Sequence, residues 1–255
     1  MIDAPEASKL TDRVAALVEA AKRAGADAAD AVAVRGRSSG VSVRLGKVEA
    51  TEASESEDVS LRVFVGQRVA SVSATAASDP DALAERAVAM ARVSPQDPFQ
   101  GLADASLLAK APVDLDLFDA TQVSAEQLKE SALAAEEAAL AVKGVTNSSG
   151  SSAGAGLGGL VLATSHGFVG QYVASRFSRS TSVIAGEGTA MERDYDFSSR
   201  QHYADLDAAE AIGRRAGERA VRRLGARKAK TGPVDVVFDP RVARGIASHL
   251  AGAIN

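Results

Sequence analysis

Cysteine and tryptophan are both absent from the 255 residues, and histidine and methionine occur three times each. Without cysteine there is no disulfide, no Cys-ligated zinc site and no thiol nucleophile within this stretch. Aromatic residues make up only 4% of the chain, which argues against large stacking platforms. The core must instead be built from Ala, Val and Leu, so its helices are expected to pack closely through small side chains. No apolar run approaches the length that spans a bilayer, and Met1 to Leu10 has no cationic segment followed by an apolar one. Neither export nor membrane insertion is expected, which makes cytoplasm the expected compartment. A formal net charge of −4 offers no general attraction for phosphate backbones.

An apolar fraction of 46% with 24% charged residues is that of a globular chain, long enough for one large domain or two ordinary ones. Residues Ser8 to Ala24 place Leu10, Val14, Leu17, Val18 and Ala21 on one helical face, and Gly25 follows where a helix end favours positive φ. Val41, Val43 and Leu45 alternate with polar residues, as do Val59, Leu61, Val63 and Val65; this period of two marks strands with one buried face. Gly66-Gln67 suits a hairpin turn into Arg68 to Ser73. The acidic stretch Glu49 to Asp58 reads as a solvated connection or strand edge. Asp79-Pro80 opens a second helix carrying Leu83, Ala87, Met90 and Ala91.

From Ser94 to Pro112 no period is sustained, and Pro95, Pro98, Gly101 and Pro112 punctuate the segment. Beyond it, Ser124 to Gln127 is a capping box opening a helix with Leu128, Ala132, Ala135, Ala139 and Val142 on one side. Strands follow at Leu160 to Thr164, Phe168 to Ala174 and Phe177 to Ile184, then a helix from about Asp205 to Leu224. Helix, antiparallel strands, helix thus occurs twice, which predicts an α+β fold of two helix and antiparallel-strand layers. The expected divisions are residues 1–93, a linker at 94–112, a central domain at 113–230 and a further segment at 231–255. In that last segment Val234 to Phe238 reads as a buried strand. Asp239-Pro240 turns it into a helix with Val242, Ile246, Leu250 and Ala253 on one face. The pattern is still running at Asn255, so the expectation is the first strand and helix of a domain that is otherwise missing.

Several residues invite chemistry. Ser148 to Gly159 is glycine-rich, but a dinucleotide fingerprint needs a strand before its glycines and a helix after them, and here the order is reversed. A flexible loop or glycine-rich strand edge is the better reading. Ser165-His166-Gly167 reads as a turn between strands. His202 lies near Glu192 to Asp196, whose carboxylates could help hold a metal, although an ion-paired turn is favoured. The cations from Arg214 to Lys230 cluster at a helix end, where they offset the helix dipole, with Glu210 and Glu218 placed to pair with Arg214 and Arg222. A solvated helix end explains them without nucleic acid.

Five segments together resemble the TldD/PmbA family, long described as modulators of DNA gyrase, and its PmbA (TldE) branch more than TldD. They are Ser60 to Arg68, Ser94 to Pro98, Leu115 to Asp119, Met191 to Asp196, and Leu224 to Lys228 ahead of Val234. The resemblance implies a cytoplasmic protein whose large β-rich C-terminal domain is almost entirely missing here. It also implies that the TldD branch is a zinc peptidase with a His-Glu-x-x-x-His stretch on a helix in this region. Placing His249 at the first position of that stretch leaves Leu250 where the Glu should be and Ile254 where the second His should be. Leu and Ile can neither ligate zinc nor move a proton, and on a regular helix positions five apart lie roughly 140° from one another.

The resemblance therefore implies a non-catalytic PmbA/TldE-type subunit, with no catalytic residue, metal or cofactor of its own. Zinc is expected in a TldD-type metallopeptidase partner, and the pair would act on unfolded peptides, as in leader-peptide removal or antitoxin degradation. One alternative is an active metallopeptidase subunit with its ligands in the missing C-terminal part. Another is a DNA- or gyrase-binding regulatory module using the Arg214 to Lys230 cations.

Overall fold

The computed structural model describes residues 4–254 with the exception of residue 112. Met1, Asn255 and Pro112, the last residue of the expected linker, lie outside the described residues. The chain divides into two units, residues 1–224 and residues 225–255. Helices α1 (Ala4–Arg23) and α2 (Pro80–Val93) flank strands β1 (Ala28–Arg44), β2 (Lys47–Val65) and β3 (Arg68–Thr75) in sequence. Then come α3 (Ala125–Leu140), strands β4 (Val145–Thr164), β5 (Val169–Ala185) and β6 (Glu192–Arg200), and α4 (Ala209–Arg222).

The expected helix, strands, helix plan occurs twice, as an α+β fold. The two sets of strands, however, are not separate sheets: they form one antiparallel sheet in the order β3-β2-β1-β4-β5-β6. The join is β1 against β4, in unbroken register from Asp30↔Thr164 to Val43↔Ser151. Only the Val41 to Leu45 end of strand β1 reads as a strand in sequence, yet the backbone runs straight from Ala28 to Arg44.

All helices of this unit pack on the sheet face that carries the odd-numbered residues of β1. Ala29, Ala31, Ala33, Val59, Leu61, Val63, Val161 and Ala163 form one core with Val14, Leu17 and Ala21 of α1 and Ala84, Ala87 and Val88 of α2. Val41, Val43 and Ala153 form a second with Leu128 and Ala132 of α3, while Val183 and Ala185 pack with Ala139 of α3 and Ala216 and Ala220 of α4. Small side chains do allow close helix packing. A Cβ on Gly213 would run into the Ala135 carbonyl oxygen, and one on Gly217 would lie 2.7 Å from Val142 Cγ2 and 2.9 Å from Ala139 O.

The expected caps form. The Asp79 side chain accepts from Asp81 N ahead of Pro80, and the Ser124/Gln127 capping box is complete. Gly66 takes φ +58° in the β2–β3 turn. Four expectations are corrected. Glu49 to Asp58 is not a connection but part of β2, paired along β1 and, up to Glu57, lying beyond the end of β3, so that of the two readings the solvated strand edge is the one that holds. Ser148 to Gly159 is not a loop or sheet edge: it lies within β4, between β1 and β5, where glycine's missing side chain had hidden the strand period. Glu192 to Asp196 is strand β6 and not a turn. Val234 to Phe238 forms no strand, since no described residue pairs with it, and a strand needs a partner ladder.

The described residues of 225–255 contain one helix, α5 (Pro240–Ala253), with the Asp239 side chain accepting from Arg241 N. Val242, Ile246 and Leu250 are more than half exposed.

Candidate functional site

The residues that sequence reading singled out do not converge. His166 is exposed in the β4–β5 turn. His202 begins the short 3₁₀ turn Tyr203–Asp205, and its Nε2 lies 2.8 Å from the Asp116 carbonyl oxygen. That carbonyl, followed by the nearby carboxylates, raises the His202 pKa above its ordinary value. His249, Leu250 and Ile254 are exposed on unit two, the first two within α5 and Ile254 as its C-cap. Leu250 and Ile254 have no lone pair to offer, so this stretch does not supply the ligand set of a zinc peptidase. Among the described residues no three His, Cys, Asp or Glu side chains gather as a metal site.

The acidic strand and the basic helix meet instead. Asp194 and Asp196 of β6 are buried on the helix-covered face. Asp196 Oδ2 accepts from Arg215 Nε at 2.5 Å, and its Oδ1 accepts from Arg219. Arg223 reaches Asp194 at 3.3 Å and Glu192 at 3.5 Å. Arg215 also meets Asp207 at 3.3 Å. The pattern follows from geometry: four helical residues rise about 6.0 Å and two strand residues about 6.6 Å, so arginines at every fourth helix position keep step with acids at every second strand position. The Ser198 hydroxyl, then Arg215, hold the Asp207 carboxyl below its usual pKa, and the Asp196 carboxylate raises that of Arg215. The cations are thus not simply a solvated helix end. The expected Glu210–Arg214 and Glu218–Arg222 pairs do not form, and the arginines with partners lie on the other side of α4.

A concavity lies in the gap between the two helical cores, where no helix covers the helix-side face of the sheet. It has a volume of about 520 Å³. Its floor crosses four strands through the rungs Arg37↔Glu55, Arg37↔Leu157, Ala155↔Phe177 and Leu157↔Ser175. One wall is the extended segment Phe118 to Val123 that leads into α3. Buried Ser175 anchors that wall: its Oγ accepts from Asp119 N at 2.8 Å and donates to Gln201 O at 2.7 Å, and its N–H donates to Leu117 O at 2.9 Å. Asp119 in turn accepts from Thr121 Oγ1 at 2.6 Å and from Tyr203 N at 2.8 Å. These bonds, the Thr121 hydroxyl foremost, hold its pKa below the usual carboxylate value. The cleft is therefore pre-formed, with opposite charges at the β1–β2 end and Leu157, Phe177 and Phe118 at the β4–β5 end. Sequence reading missed it because Arg37 and Glu55 face each other only once β1 and β2 are seen as one hairpin turning at Leu45-Gly46. The positive φ of both turn residues, +49° and +74°, makes that turn, and Gly46 was its only available signal.

Comparison with known proteins fits this architecture. Residues 29–91 match the model described as PmbA/TldA metallopeptidase domain 1, and residues 118–224 that of the PmbA/TldA metallopeptidase central domain. The chain is 36% identical over 251 residues to a protein named metalloprotease PmbA homolog from Haemophilus influenzae, across 97% of this chain and 55% of that one. It is 39% identical over 218 residues to metalloprotease PmbA of Escherichia coli O157:H7, across 84% and 48%. A crystal structure described as a candidate modulator of DNA gyrase from Bacteroides thetaiotaomicron superposes with a TM-score of 0.88 at 25% identity, covering 100% of this chain and 58% of that one. TldE from Thermococcus kodakarensis shares the fold, with a TM-score of 0.68 at 18% identity over 82% of this chain and 47% of that one. The chain belongs to the PmbA/TldD family, and it spans about half the length of the curated relatives it matches.

Proposed function

We propose that this chain is the non-catalytic, PmbA/TldE-type part of a cytoplasmic metallopeptidase whose zinc sits in a TldD-type partner, and that the pair cleaves unfolded peptides. Leader-peptide removal and antitoxin degradation are the reactions of that class it would serve. The observation that carries the reading is the sequence at the end of α5, where alkyl side chains at Leu250 and at the C-cap Ile254 follow His249. A peptidase of this kind needs two imidazoles for the metal and a carboxylate to activate water. The arginines that could have suggested a nucleic-acid surface support this reading too, because Arg215, Arg219 and Arg223 are committed to carboxylates.

The test is direct. The purified chain should hold no stoichiometric zinc by metal analysis and should not cleave an unfolded peptide. Addition of a zinc-loaded TldD-type subunit should yield a complex by size-exclusion chromatography and chelator-sensitive cleavage. Chelator-sensitive cleavage by the chain alone would overturn the proposal.

A further inference from the structure

We infer that the cleft between the two helical cores binds an α-zwitterion with a large apolar side chain, that is, a free amino acid. The inference goes beyond the subunit reading and does not depend on pairing with a zinc-bearing partner. Arg37 and Glu55 are Cα partners across β1 and β2 on the face that lines the cleft, so their Cβ atoms are about 5 Å apart. One rung along, Arg35 and Glu57 do pair, at 3.7 Å. The side chains of Arg37 and Glu55 by contrast make no hydrogen bond or ion pair with any described residue. Two opposite charges side by side and unspent on each other are what an ammonium and a carboxylate on one carbon would engage together. Because an exposed ion pair is worth little, leaving this one unformed costs the fold little.

The apolar part of such a ligand has a matching place. Leu157 lies opposite Arg37 on β4, Phe177 is buried one rung away on β5, and Phe118 is 38% exposed on the wall. The cleft crosses four strands spaced about 4.8 Å apart, roughly 14 Å from the charged end to the apolar end. That length admits an amino acid with a long side chain. The volume is within the range of pockets that bury small ligands. The backbone amides of Ala120 and Gln122 on the wall donate to no described acceptor, so they are available to a bound ligand.

Titration calorimetry of the chain with L-phenylalanine tests the site. Saturable binding is expected, with N-acetylphenylalanine and phenylalanine amide each at least about tenfold weaker, since each lacks one charge, and L-alanine weaker still. Arg37→Gln should erase the preference for the acid over the amide while keeping the penalty for acetylation. Glu55→Gln should do the reverse. Both residues are exposed, so both variants should fold as the parent, which circular dichroism checks. A parallel titration with glycylphenylalanine, whose ammonium and carboxylate sit on different carbons, should give at least about tenfold weaker binding than L-phenylalanine, and tighter binding would overturn the inference. No saturable binding up to about 10 mM, or equal affinity for all three phenylalanine derivatives, would overturn the inference.

Discussion

Glu136 is fully buried in α3, and its carboxylate is the only side chain among the described residues that ties the far end of the β1–β2 hairpin to a helix through both turn amides. Oε1 accepts from Leu45 N at 2.9 Å and from the buried Ser148 hydroxyl, and Oε2 accepts from Gly46 N at 2.8 Å. Replacing Glu136 by Ala removes all three bonds and opens a void beside Ser148. Bonds to a charged group contribute about 1.5–3 kcal/mol each, and a buried donor left without a partner costs about 1–3 kcal/mol. Leu45 and Gly46 are exposed, so water can replace the carboxylate at their amides, and most of the loss comes from Ser148 and the void. The expected destabilisation is about 3 kcal/mol in urea unfolding, with an unchanged slope. Hydrogen exchange at Leu45 and Gly46 should accelerate ahead of exchange at Val59 to Val63. Glu136→Gln keeps the volume but sets an NH₂ group against one donor, and about 1–2 kcal/mol is expected. The exposed neighbour is the control, with Glu137→Ala changing stability by less than about 0.5 kcal/mol. A Glu136→Ala variant within that same margin would refute the reasoning.

Asp196→Asn should cost about 1–3 kcal/mol by weakening the bonds from Arg215 and Arg219, whereas Arg214→Ala on the exposed side should be neutral; equal effects in urea unfolding would show that the ladder is incidental. Gly213→Ala should destabilise by about 1–3 kcal/mol despite the roughly 1 kcal/mol that Ala gains in helix propensity, because its methyl group meets the Ala135 carbonyl; a raised melting temperature would contradict the α3–α4 contact. Stability should change with pH at both ends of the range. Asp207 has a depressed folded pKa, so its contribution is complete above about pH 3.9 and is lost as pH falls through the folded value. His202 has a raised one, so its hold on Asp116 is complete below about pH 6.5 and is lost as pH rises through the folded value. An NMR titration of the His202 ring checks the second, and a pKa at or below the ordinary histidine value would refute it.

The legible parts of the fold are those where helix covers sheet. Val41 to Val43 and Val59 to Val63 alternate because one face of each is in a core, and the helices announce themselves through Asp79-Pro80, Ser124 to Gln127 and Gly25. The signal fades beside those segments for a physical reason: there the same face is the floor of the cleft, so Arg37, Ser39 and Glu55 stand where apolar residues would otherwise stand. The period of two is intact in the backbone but is no longer written in hydrophobicity. Glycines at Gly154, Gly156 and Gly158 erased it from the neighbouring strand as well. The candidate site was thus least visible where it was largest. The Arg215 to Arg223 ladder was hidden differently, since its residues were all noticed but strand β6 had been taken for a turn.

The β1–β4 ladder makes the two family matches, residues 29–91 and 118–224, something other than separable modules. Each match ends outside the sheet, yet their strands share one hydrogen-bonded ladder from Asp30↔Thr164 to Val43↔Ser151. Severing the chain in the segment between α2 and α3 would leave the ladder intact, so two co-expressed fragments should find each other. Producing either fragment alone would present a long raw strand edge, which is a template for self-association. The indivisible unit is the sheet, and the boundary suggested by sequence similarity is only a convenient place to nick it.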